Sequence, residues 1–269
     1  MWFLVFICAF TAVGGVPIHV TQGATTNLTG VVPQNATSPS ADAVIPTLDP
    51  NGTSAETIED FQEDRIVDEG DILILGDRNA VHNLWLDAIV PYTISSEEAH
   101  RKSDILAALK MISDASCIRF KPHTSELNYI KFVEGNGCAS FVGCQGGPQS
   151  VYIGDSCSKG NICHEILHAL GLHHEHTRKD RDQYVSVKWE NVAPGKQVNF
   201  KMVSGDTLNL PYDLDSIMHY GKYYFSKDGN PTMLPKQSAP HIGQRTHLSK
   251  LDMERLNLLY HCDERMKAQ

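Results

Sequence analysis

Periodic patterning begins late in this chain. From residue 89 onward, four short β-rich segments follow one another: Ile89-Val-Pro-Tyr-Thr-Ile94, Cys117-Ile-Arg-Phe120, Tyr129-Ile-Lys-Phe-Val133 and Ser150-Val-Tyr-Ile153. Their alternation and β-branched content predict strands. Between the first two, Ile105, Leu109 and Ile112 recur at helical spacing, which predicts a helix near residues 103–115 with Ser103 as its N-cap. Further on, Ser249-Lys-Leu-Asp252 reads as a capping signal that opens a helix with Leu251, Leu258 and Leu259 toward the core. Strands and helices together predict a compact α+β domain. Residues 16–60 carry neither period and are rich in Thr, Ser, Pro, Asn and Ala. Ahead of them, Trp2 to Val13 is a single apolar run closed by Gly14 and Gly15. It falls short of the ~20 residues that span a bilayer. Residues 1–15 therefore read as a secretory signal, and no later segment is a membrane span.

Charge divides the chain at the same place. Of the net −9 carried by 269 residues, all lies between Val16 and Arg78, where 11 acidic residues meet only Arg65 and Arg78. The segment Asn79–Gln269 holds 21 charges of each sign. The net −9 argues against a nucleic-acid binder, which usually carries a basic face. The sequons at Asn27, Asn35 and Asn51 all fall in the acidic part, as expected of an exposed, glycosylated leader. A linker or stalk would share this composition. The acidic run Glu63–Asp71 ahead of one basic cleavage point, Arg78, instead points to a propeptide over 16–78, with the working domain at 79–269. Six cysteines remain outside the signal: Cys117, Cys138, Cys144, Cys157, Cys163 and Cys262. An even number in an exported chain favours three disulfides, whose pairing the count leaves open.

The chemistry concentrates in His164-Glu-Ile-Leu-His-Ala-Leu-Gly-Leu-His-His-Glu-His176. A helix stacks His164 and His168 on one face, so both imidazoles reach one ion. Glu165, beside the first, can meet a metal-bound water without being a ligand. Gly171 lets the chain turn out of the helix, and the spacing H-E-x-x-H-x-x-G-x-x-H selects His174 as third ligand, with His173 and His176 as its neighbours. Three nitrogens leave room for a water, which marks a catalytic zinc site. Downstream, Ser216-Ile-Met-His-Tyr220 has the form of a Met-turn centred on Met218.

These residues resemble the astacin family of zinc metalloendopeptidases. The similarity extends through Asp182 and resumes at Trp189-Glu-Asn191, Pro211-Tyr-Asp213, the Met-turn and Ile242-Gly-Gln-Arg245. Within the family the chain resembles the fish hatching-enzyme and nephrosin-like group, although residues 79–83 lack the cysteine pair usual there. The resemblance implies a metzincin-type zincin domain: an N-terminal twisted mixed sheet with the active-site helix, a C-terminal subdomain of few regular elements, and a zinc cleft between them. It implies one zinc on His164, His168 and His174, with Glu165 as general base. Tyr220 would bind zinc at rest and stabilise the oxyanion during turnover. It implies disulfides Cys117–Cys262 and Cys138–Cys157 and leaves Cys144–Cys163 as a third pair. It assigns Asp71, in Asp68-Glu-Gly-Asp71, as the propeptide aspartate that occupies the zinc, although Asp68 stands where the family has an aromatic. Cleavage after Arg78 by a trypsin-like protease would free the Asn79 amine to meet Glu175. Protein or peptide substrates, a monomeric state and an extracellular location follow, with Arg245 a candidate for recognising acidic residues. A silent zinc-binding or egg-coat-binding glycoprotein on the same fold is the rival, but every residue that turnover needs is present.

Overall fold

A computed structural model describes residue 56 and residues 66–74, 84–237 and 241–267. All lie in one unit, Ile45–Gln269. The signal, the sequons Asn27, Asn35 and Asn51, and the Arg78–Asn79 junction fall outside the described residues.

Seven strands form one mixed sheet: β1 (Ile66–Asp68), β2 (Ile72–Ile74), β3 (Ile89–Ile94), β4 (Arg119–Pro122), β5 (Tyr129–Glu134), β6 (Ala139–Phe141) and β7 (Pro148–Ile153). Their order is β1-β2-β6-β7-β5-β3-β4. The strands β4, β3, β5 and β7 run parallel, and β6 is antiparallel to β7. β3 matches its expected span, whereas β4 starts two residues later than the pattern suggested. Parallel strands need crossovers, and α1 (Lys102–Ala115) supplies the one between β3 and β4. It buries Ile105, Ala108, Leu109 and Ile112. Ser103 is not its N-cap: a 3-10 turn over Glu97–Arg101 runs straight into the helix, which places the cap at Arg101.

The acidic N-terminal segment, expected to be a leader, contributes to this sheet. β1 and β2 form an antiparallel hairpin, and β2 pairs in parallel with β6 through Ile72↔Ser140 and Leu73↔Phe141. The edge of the body is thereby covered by leader backbone, which satisfies the open donors and acceptors of β6.

Beneath the sheet, α2 (Lys159–Ala169) is buried from Gly160 to Ala169. Its packing with α1 and the sheet makes one core of Val90, Ile112, Phe132, Val151, Ile166 and Leu167 among others. Beyond α2 regular structure is sparse: a two-stranded pair of β8 (Val185–Val187) with β9 (Met233–Pro235), then α3 (Lys250–Leu259) and α4 (Cys262–Lys267). A smaller core of Phe200, Tyr212, Tyr220, Tyr224 and Met233 stands on that side. α3 opens with the Ser249–Asp252 capping box, but it buries Asp252, Arg255 and Leu256, and Leu258 is exposed.

Cys117–Cys262 and Cys138–Cys157 are disulfide-bonded, with Cα separations of 5.2 and 6.0 Å. The expected third bond is absent: Cys144 and Cys163 are buried free thiols. The turn carrying Cys144 docks on the far end of α2, where Gly143 N–H donates to the His168 carbonyl at 2.8 Å. Cys163 lies five residues nearer the helix start, or about 7.5 Å along the axis. Its thiol feels Asp252 and Arg245, while Cys144 is within electrostatic reach of Tyr260. The two sulfurs therefore face different neighbourhoods.

Candidate metal centre

α2 is started by a reciprocal cap in which Asn161 N–H donates to Ser158 Oγ (3.2 Å) and Ser158 N–H donates to Asn161 Oδ1 (2.8 Å). Its first turn is wedged against another segment. A Cβ on Gly160 would stand 1.7 Å from the Arg245 carbonyl oxygen. Since a buried α2 cannot slide away, Gly160→Ala is expected to cost about 3 kcal/mol or more. A urea midpoint unchanged from wild type would contradict that.

From this helix His164 and His168 project on one face, and Gly171, at φ +107°, turns the chain so that His174 returns to meet them. Each histidine has its Nδ1–H committed. His164 donates to the Ile217 carbonyl (2.9 Å), His168 to the Leu172 carbonyl (2.7 Å) and His174 to a Glu69 carboxylate oxygen (2.7 Å). That leaves three Nε2 lone pairs facing one point. His164 Nε2 lies 3.1 Å from that of His168 and 3.2 Å from that of His174. The edge of a tetrahedron with Zn–N bonds of ~2.0–2.1 Å is about 3.3 Å. The fourth corner is taken by Asp71, whose Oδ2 is 3.2 Å from His164 Nε2 and whose Oδ1 is 3.3 Å from His174 Nε2. The group is fully buried, and Asp71 Oδ1 has no hydrogen-bond donor. Acceptors gathered without donors in a dry site call for a cation, so the residues fit zinc.

Glu165 sits at this centre with both carboxylate oxygens buried and unpartnered. Burial, and then the Asp71 and Glu56 carboxylates, push its carboxyl well above the usual range. With those two carboxylates beside it, the Glu165 carboxyl favours its neutral form. Tyr220 is also engaged by the leader: its hydroxyl donates to the Glu69 carbonyl, and its ring stacks on His176 with centroids 3.6 Å apart. His176 in turn bonds the Asn199 carbonyl at 2.9 Å, while His173 is exposed.

The leader reaches this depth through a tight turn. Glu69 and Gly70 both have positive φ (+48° and +83°), and a Cβ on Gly70 would be 2.6 Å from the Phe225 ring and 3.2 Å from the Tyr220 hydroxyl. Asp68, at the position of the missing aromatic, accepts the Glu69 N–H at 3.0 Å.

Met218 is fully buried beside the cage. Its turn is fixed from α3: Asp252 accepts from the Ser216 hydroxyl (2.6 Å) and the Ile217 N–H (2.9 Å). The next residue, His219, is buried and neutral. It donates to the Tyr220 carbonyl and accepts from the Tyr212 hydroxyl, both at 2.8 Å. Burial pushes its imidazole down from 6.5 to about 4. The unfolded chain therefore takes up this proton before the folded one. Stability from this site is complete above ~6.5 and is lost as pH falls toward ~4, by on the order of 3 kcal/mol. Urea midpoints measured from pH 7 to 4.5 should fall for wild type and less steeply for His219→Gln. Equal slopes would count against the assignment.

Glu175 lies away from the cage. Its carboxylate meets Arg178 and Arg255, each at 3.0 Å, and the Asp213 N–H at 2.8 Å. A cavity of about 500 Å³ opens beside it, lined by Leu172, His173, Arg178, Leu208 and Arg255 among others. Arg245 is buried and paired with Glu56 of the leader. Glu56 and Glu69, and the reach of Asp252 beyond its capping box, escaped the reading of the sequence, because the partners are 36–189 residues away and no local spacing announces them.

Comparison with known proteins places this geometry. The astacin (peptidase family M12A) model matches residues 77–261. Zinc metalloproteinase nas-15 of Caenorhabditis elegans is 41% identical over 193 residues, covering 68% of this chain and 34% of that protein. High choriolytic enzyme 1 of Oryzias latipes is 39% identical over 216 residues, covering 74% of this chain and 79% of that protein. The solved structure of that hatching enzyme zinc-protease superposes with a TM-score of 0.64 at 37% identity, over 71% of this chain and all of the other. The chain spans less than half the length of the nematode relatives nas-15, nas-13 and nas-14.

Proposed function

The chain belongs to the astacin family of peptidases, and from that premise we propose that it is a secreted zinc endopeptidase made as a latent precursor. The observation that carries this reading is the cage of three Nε2 atoms with Glu165 beside it and a leader carboxylate in the fourth position. The chemistry a zinc ion supplies there when bound is Lewis acidity toward the scissile carbonyl and a water acidified toward pKa ~7. Glu165, beside the three histidines that would hold the ion, is placed to accept a proton from an attacking water and deliver it to the leaving amine. Once the leader departs, two carboxylates leave its surroundings and it can ionise. The Tyr220 hydroxyl, freed from the Glu69 carbonyl, donates to the oxyanion. An extended substrate pairs with the edge of β6 that β2 vacates.

In this reading residues 1–15 are the signal, and 16–78 the leader, glycosylated at Asn27, Asn35 and Asn51. A trypsin-like protease cuts after Arg78. The Asn79 amine then enters the cavity beside Glu175, where a cation completes the buried carboxylate's surroundings. The enzyme acts as a monomer on extracellular proteins, egg-envelope proteins among them given the hatching-enzyme relatives. Arg245, once parted from Glu56, favours acidic residues near the scissile bond. Among the described residues, no helix is long and apolar enough to cross a membrane.

Trypsin treatment of the precursor should release a chain beginning at Asn79 and switch on casein hydrolysis. A chelator such as phenanthroline should abolish that activity, and added zinc should restore it. Activity that survives metal removal would end the proposal, and full activity before cleavage would end its latency.

A further inference from the structure

The leader enters the body at a second point that the metal cage does not explain. Glu56 is buried, and its carboxylate meets four donors from three separate segments. Arg245 gives Nε to Oε1 at 2.6 Å and a terminal nitrogen to Oε2 at 2.5 Å. Asn161 Nδ2 donates to Oε1 at 2.5 Å, and the Tyr224 hydroxyl to Oε2 at 2.8 Å. These donors are held independently of Glu56. Asn161 belongs to the α2 capping box. Arg245 also donates to the His219 carbonyl at 3.0 Å, and its backbone is the segment wedged on Gly160. A fork-shaped pair of arginine bonds plus two neutral donors matches a carboxylate's lone pairs in number and plane. The same placement brings an oxygen of Glu56 within 4.8 Å of one of Glu165.

All four donors belong to the body and the acceptor belongs to the leader, 15 residues ahead of Asp71. A buried arginine pair within one domain serves only packing, but a receptor whose ligand is removed with a leader governs how tightly that leader is held. We propose that Asn161, Tyr224 and Arg245 form a carboxylate-binding site that Glu56 fills, making the leader a two-point inhibitor anchored here and at Asp71. This rests on the reading of residues 16–78 as an inhibitory leader. The site's ligand class is a side-chain carboxylate of glutamate length. Because both anchors are on one chain, each raises the effective concentration of the other. Loss of either therefore opens the cleft by more than its own contact alone.

The test uses the full-chain precursor with Arg78→Gln to prevent cleavage, and compares Glu56→Gln, Asp71→Asn and the double variant. Hydrogen exchange at Ile72–Ile74 and hydrolysis of a quenched peptide are read together. Glu56→Gln should speed exchange in β2 about tenfold, in the metal-depleted chain as well, and raise basal hydrolysis about tenfold, while β5 stays protected. Tyr224→Phe should speed β2 exchange in the wild-type leader but add nothing to Glu56→Gln, as a direct partner must. The proposal is overturned if Glu56→Gln leaves β2 exchange and hydrolysis at wild-type values, or if exchange rises equally in β5, the mark of a purely structural pair. Cleavage separates the two readings. If trypsin cutting of the precursor that keeps Arg78 adds no hydrolysis, the inhibitory leader itself is wrong; if it adds hydrolysis while Glu56→Gln stays silent, only the second anchor is wrong.

Discussion

Replacing Glu165 with glutamine is expected to lower kcat/KM for a protein substrate by about 10³–10⁴-fold while one zinc ion stays bound. The size follows from the role, since proton transfer by a placed base contributes about 10²–10⁴-fold, and here one group serves both water and leaving amine. The selectivity follows from the geometry. The Glu165 carboxylate makes no hydrogen bond in the structure, and the three ligating rings are oriented by Ile217, Leu172 and Glu69 rather than by it. A glutamine of the same shape therefore disturbs neither cage nor packing. It also removes a buried ionisable group, so folding should not suffer. Metal analysis and hydrolysis of a quenched peptide after trypsin activation provide the check. Activity within tenfold of wild type would remove Glu165 from the proton path. Loss of zinc together with activity would make it a structural support instead.

The parts of this site that were legible in the sequence are those whose geometry is local. His164 and His168 are one helical turn apart, and Gly171 needs only its own φ to redirect the chain, so spacing alone brings His174 within reach. The Ser249–Asp252 box is local in the same way. What spacing could not show is where Asp252 sends its carboxylate, namely to the Met-turn some 36 residues upstream. The leader hairpin was hidden for a related reason. Strands of three residues carry almost no periodicity, and β2 exists because β6 offers an edge, a fact settled by tertiary pairing. Asp71 was singled out through the family resemblance of Asp68-Glu-Gly-Asp71, but Glu69 and Glu56 looked like further acidic residues of the same segment. Only the fold distinguishes a solvated charge from one that orients His174 or fills a receptor. The cysteine pairing failed through arithmetic: an even number suggested a third bond, whereas Cys144 and Cys163 are both buried free thiols. In α3 the apolar stripe gave way to Asp252 and Arg255, because that face serves polar partners at the site.

Asp71→Ala, in a precursor that Arg78→Gln protects from cleavage, is expected to raise basal peptide hydrolysis by about 10²-fold. Three contacts depend on that one side chain, at 3.2 Å to His164, 3.3 Å to His174 and 3.6 Å to His168. Burial opposes an ionised carboxyl there, but the positive charge at the histidine cage prevails and holds it well below the usual range. A zinc ion in the cage would act in the same direction. A charge-assisted contact is worth about 1.5–3 kcal/mol, so losing the carboxylate should shift the closed-to-open ratio of the leader by about 3 kcal/mol, or about 10². The rise should stop short of full activity, since the β2–β6 pairing and the Glu56 contact still hold the leader over the cleft. Alanine also leaves Gly70 and its turn untouched, so the backbone path past Tyr220 should persist. Zinc content should stay at one ion, which separates release of the lock from damage to the cage. A variant as silent as the parent, with zinc in place, would show that latency comes from steric cover by the hairpin and that Asp71 adds nothing to it.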